Sequence, residues 1–106
     1  MHEIGKHPAV AMASASFRHG AIEVVDGNFH AVVFAPAGPT YELSRGLVRD
    51  IDSYGGHATL VESQLPANVA PLLEAIPAQL AGYHLAKAKE LTPGAFRYVA
   101  QVTREE

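Results

Sequence analysis

Three consecutive residues, Arg18-His19-Gly20, join a permanent positive charge, a proton donor–acceptor and a position without a Cβ. Ser14 and Ser16 stand just before them, in the stretch ASASFRHGAIEVVD at 13–26. An imidazole is the side chain best suited to giving and taking a proton at physiological pH. A guanidinium pairs with a phosphate or with an acidic neighbour. The serines can contact an anion or cap a helix. The same residues also suit a polar surface turn, with a locally bonded histidine and a solvated arginine, and both readings stand at this level.

The cluster falls where a short apolar run, AVAMA at 9–13, is expected to hand over to a helix. In an α/β protein that point lies at the carboxyl end of a strand, where ligands bind. The run is compatible with a buried strand, although alanine is a weak strand former. A helix over about 14–25, N-capped by Ser14 or Ser16, would set Phe17, Ala21, Val24 and Val25 on one face. Gly20 makes it short or irregular. Asp26-Gly27-Asn28 is a turn signal. HAVVFA at 30–35 is the clearest strand, expected to be buried on both faces. After a loop at 36–39, Thr40 can cap a helix reaching about Tyr54, with Leu43, Leu47, Val48, Ile51 and Tyr54 at helical spacing. Arg45, Arg49, Asp50 and Asp52 fall mostly on its wet face, and Gly55-Gly56 ends it. HATLVE at 57–62 reads as a further strand. The longest helical pattern, 70–91, carries Leu72, Leu73, Ile76, Leu80, Tyr83 and Leu85, with a kink expected at Pro77. Residues 1–7 read as a frayed helix end or a tail, and 95–106 as a tail anchored by Phe96, Tyr98 and Val102. Alternating strands and helices predict a three-layer αβα fold around a parallel sheet.

Composition narrows the function. The 106 residues fit one domain, and 48% hydrophobic content supports a core. A net charge of −3 argues against a nucleic-acid partner. Without cysteine there is neither a disulfide nor a thiolate metal site, which fits a cytoplasmic setting. No apolar run reaches the length of a membrane span, and the N-terminus lacks a signal-peptide core. His2, His7, His30, His57 and His84 show no metal-binding spacing, and no phosphate-cradling glycine loop is present, so neither a metal nor a cofactor is expected.

Read in order, FRHG with its run to Asp26, the strand HAVVFAP, the helix PLLEAIPAQLAGYHLAKAKEL and the tail RYVAQVTREE resemble the SIS (sugar isomerase) domain family. The likeness is to the second SIS domain of isomerising glutamine–fructose-6-phosphate aminotransferases and related phosphosugar isomerases. It implies a flavodoxin-like topology, in a chain lacking the first strand and helix of the full domain, hence a single, partial domain over 1–106. His19 matches the family histidine that opens the sugar ring, reaching the site of a neighbouring subunit. Glu3 matches the glutamate that moves the proton between two sugar carbons. The resemblance thus implies Glu3 and His19 as catalytic positions and Arg18, Ser16 and Gly20 as substrate-binding ones. It also implies a sugar phosphate such as fructose 6-phosphate or glucosamine 6-phosphate as ligand, in a homo-oligomer. Two departures stand out. Ala100 and Gln101 hold the place of the family's tail lysine, and the serine/threonine-rich phosphate loop has no counterpart. Catalysis by this chain alone is therefore not expected. A non-catalytic sugar-phosphate-binding regulatory module and a dimerising remnant are the alternatives.

Overall fold

The computed structural model describes residues 2–95. They divide into two compact units: 11–74, and 2–10 together with 75–95. The first unit holds the sheet. Strand β1 (His30–Ala37) pairs in parallel with β2 (His57–Pro66), from His30 opposite His57 to Pro36 opposite Ser63. The register then slips, so that Ala37 lies opposite Pro66. A parallel pair needs a crossover, which helix α3 (Tyr41–Ser53) supplies. The result is α/β with a parallel sheet, compatible with a truncated αβα domain.

The strand expected at 9–13 does not form. The segment is irregular, and Val10 is 82% exposed. Its alanines give little side-chain packing to offset the cost of ordering an extended backbone. The described residues therefore contain a two-stranded sheet, and β1 is buried more deeply on one face than on the other. Val33 is buried against Leu47 and Ile51 of α3, with Ala31, Ala58 and Leu60 packed around them. Val32, which alternation turns to the opposite face, is 58% exposed.

Helix α3 begins at the expected place, but Thr40 provides no side-chain cap. Its carbonyl accepts from Ser44 N at 3.0 Å instead. Ser44, Leu47 and Ile51 form the buried stripe, whereas Leu43 and Tyr54, at its margins, are exposed. The helix ends as its sequence predicts. Gly55 takes φ of +89°, and Gly56 N returns to Ile51 O at 3.0 Å. Gly56 also has a packing reason to be glycine. A Cβ there would lie 2.8 Å from Val25 Cγ1 and 2.9 Å from Ile51 Cγ2.

In the second unit a short helix, α1 (His2–Gly5), contacts the later part of α4 (Ala70–Ala88). Gly5 is buried, and a Cβ on it would meet Leu85 Cδ2 at 3.0 Å and the Gly82 carbonyl at 3.4 Å. Lys89 Nζ donates to the Gly5 and Lys6 carbonyls at 3.3 and 3.4 Å, neutralising the acceptor end of that short helix. Helix α4 runs continuously through Pro77. Leu72, Leu73, Ile76, Leu80 and Tyr83 along it are exposed. No helix among the described residues is long and apolar enough to cross a membrane.

Candidate functional site around His19

The helix expected over 14–25 is broken into two pieces at the motif itself. Helix α2 covers Ser14–Arg18, and a 3-10 turn covers Ala21–Val24. Gly20, between them, adopts φ of +156° and ψ of −53°, a backbone that side chains rarely tolerate. A Cβ there would meet nothing within 4 Å, so conformation rather than space calls for glycine. Neither serine caps the helix. Ala13 is the N-cap residue and Ser14 already lies in the first turn. Ser16 contributes its carbonyl, which accepts from His19 N at 3.3 Å.

Helix α2 is too short to hold itself together. It is held from two sides. Phe17 packs against the core cluster and lies 5.7 Å, centroid to centroid, from the Phe29 ring. Arg18 forms an ion pair with Asp50 of α3 and reaches toward the Leu43 carbonyl at 3.5 Å. The acidic neighbour that Arg18 suits on sequence grounds is Asp50. His19 follows as the C-cap residue, exposed, and its ring has no hydrogen-bond, ion-pair or ring partner among the described residues.

The fold brings Ser16, Arg18, His19 and Gly20 together in one turn of the 11–74 unit. Glu3 lies in α1 of the other unit. Ala100 and Gln101, with Phe96, Tyr98 and Val102, lie outside the described residues. No group of three histidines and carboxylates among the described residues is arranged to hold a metal ion.

Sequence reading missed two side-chain groupings. At the carboxyl end of the strands, Tyr41, just past β1, donates its hydroxyl hydrogen to the Glu62 carboxylate of β2. That bond, with loss of solvent and the carboxylate's own charge, raises the phenol above its ordinary value of 10.0. Arg45 lies 5.9 Å from the Tyr41 ring centroid and 3.5 Å from the Glu42 carboxylate. At the opposite end, the rings of His30 and His57 stack with centroids 5.0 Å apart. Both groupings join residues more than twenty positions apart. Their signal exists only once strand pairing and register are known.

The chain aligns with glutamine–fructose-6-phosphate aminotransferase (isomerising) of Zymomonas mobilis at 28% identity over 107 aligned positions, covering 84% of this chain and 18% of that protein. The protein of the same name from Bradyrhizobium diazoefficiens is 30% identical, with the same two coverages. The one from Sphingobium yanoikuyae is 24% identical, with 84% of this chain and 69% of that protein aligned. The chain is a relative of the isomerising glutamine–fructose-6-phosphate aminotransferases. It spans less than a fifth of the length of the Zymomonas and Bradyrhizobium relatives. No protein-family model matches it.

Proposed function

We propose that this chain is a sugar-phosphate-binding domain of the SIS type, derived from an aminotransferase or isomerase of amino-sugar metabolism, with fructose 6-phosphate or glucosamine 6-phosphate as its ligand class. The observation that carries the reading is His19. In a chain related to these aminotransferases, it stands exposed, without a side-chain partner among the described residues, on a turn whose two preceding residues are both anchored. His19 is the proton-transfer group of the site, with Ser16 and Gly20 bordering it, and Glu3 the carboxylate position inherited from the isomerisation. Ala100 and Gln101 offer neither a charge nor a proton at the tail position, so turnover by the chain alone is not expected. The proposed setting is cytoplasmic.

The test is thermal denaturation with millimolar sugar phosphate. A ligand that binds only the native state raises its melting temperature. Fructose 6-phosphate or glucosamine 6-phosphate is expected to produce such a rise, and His19→Ala to reduce it. Equal rises in both proteins would remove His19 from the site, and no rise in either would remove the ligand class.

We further propose that the domain works as a homo-oligomer, with the Val32 face of the sheet at the contact. Support comes from the sheet, whose second face shows Val32 open to solvent. Apolar sheet surface of this kind is normally covered, and a two-fold pair is the commonest cover. Sedimentation at micromolar concentration should give at least a dimer mass. A soluble monomer at that concentration would refute it. A dimer without any sugar-phosphate response would favour the alternative, a remnant that only assembles.

A further inference from the structure

We propose that Asp50 and Gly46 of α3 are positioning residues for His19, acting through Arg18, whose guanidinium is a latch onto α3 and not a contact to the sugar phosphate. The inference rests on the reading of His19 as the proton-transfer group.

Three observations converge on it. The Arg18 guanidinium pairs with the Asp50 carboxylate, and its other terminal nitrogen reaches toward the Leu43 carbonyl two turns earlier on the same side of α3. Both side chains are a little over a third exposed, so water screens the pair without dissolving it. Gly46 supplies the second observation. It lies mid-helix, where glycine is a poor choice on propensity. The position its Cβ would take is 3.4 Å from Arg18 Nη2. A methyl there would already touch the guanidinium, and any longer side chain would take its place. A side chain at Gly46 longer than a methyl would lie where the arginine crosses the helix to Asp50.

The third observation is that α2 is too short and too weakly capped to fix its own end. It has five residues and no side-chain cap, and the backbone turns away at Gly20 immediately after His19. Phe17 points one way into the core, and Arg18 is tied to α3. Two anchors on adjacent residues define both the position and the rotation of a single helical turn. One anchor alone would leave the turn free to pivot about Phe17, carrying the His19 ring with it.

The experiment uses the full chain, with nitrogen- and carbon-edited spectra of the histidine rings and amide exchange. In Asp50→Asn and in Arg18→Met, the His19 ring signals should shift while those of His84 stay in place. Exchange at the Phe17 and His19 amides, which donate to Ala13 and Ser16, should speed up about threefold, the scale of a part-exposed ion pair. The exchanged pair Arg18→Asp with Asp50→Arg should restore both readouts. Gly46→Leu should reproduce the defect with both charges intact.

Unmoved His19 signals in Asp50→Asn would overturn the proposal. So would His19 and His84 signals moving together, which would mark general loosening. Loss of the fructose 6-phosphate melting shift in Arg18→Met but not in Asp50→Asn would place Arg18 on the ligand and overturn it as well. If the wild-type chain shows no ligand response, the binding reading fails, and the ring signals and exchange still decide whether the latch exists.

Discussion

Helices α3 and α4 are both rich in leucine and isoleucine, yet they are buried to very different degrees. On α3 the stripe Leu47 and Ile51 falls to 3% and 1% exposure against β1 and β2, and charged residues occupy the other side. On α4 the apolar residues are distributed around the helix, and Leu72 remains 75% exposed. The contrast teaches that apolar content does not bury a helix; a matched surface does. The width of α3's stripe suits one face of a two-stranded sheet. An all-round apolar helix needs cover on several sides.

The sharpest way to break this comparison is to remove the same kind of side chain from each helix. Ile51→Ala should cost about 2–4 kcal/mol, because it leaves a cavity between α3 and the sheet. Leu72→Ala should stay within about 0.5 kcal/mol, because its methyl groups are already wet. Urea unfolding followed by circular dichroism measures both. Similar costs at the two sites would mean that α4 is covered in solution, and the contrast between the helices would collapse.

A smaller effect sharpens the comparison at the start of α3, where Tyr41 joins the helix to β2 through Glu62. A phenol raised in the folded state favours its protonated form there. Its contribution to stability is complete below the unfolded value of 10.0 and is lost as pH rises through the folded value. Melting temperature should therefore fall more steeply above pH 10 in the wild type than in Tyr41→Phe, with little difference between their slopes below pH 9. Parallel curves through the alkaline range would show that the Tyr41–Glu62 bond does not persist in solution.

Much of this organisation was legible in local residue patterns. The run HAVVFA, the helical spacing of Leu47 and Ile51 and the paired glycines at 55–56 each state their structure within a few residues, because strand alternation, helical period and left-handed turns are short-range properties. The Arg18-His19-Gly20 cluster was visible for the same reason, as was the irregularity that Gly20 imposes. The likeness to the aminotransferases was carried by the order and spacing of several such segments, none decisive alone.

Other features depended on partners far along the chain. Residues 9–13 read as a strand, but a strand exists only with a neighbour to pair with, and none forms beside that alanine-rich run. Leu43 and Tyr54 shared α3's apolar spacing and still ended in solvent, since among the described residues the sheet beneath is two strands wide. Asp50 read as one more charge on a wet helix face until the fold set it against Arg18, thirty-two residues earlier. By itself the sequence determined most of the segments that become helix and strand, and where the Arg18-His19-Gly20 cluster stands. Only the tertiary structure decided which face of each segment is dry, and that Arg18 spends its charge on Asp50. Burial and ion pairing are relations between distant surfaces, and no local pattern encodes the surface on the other side.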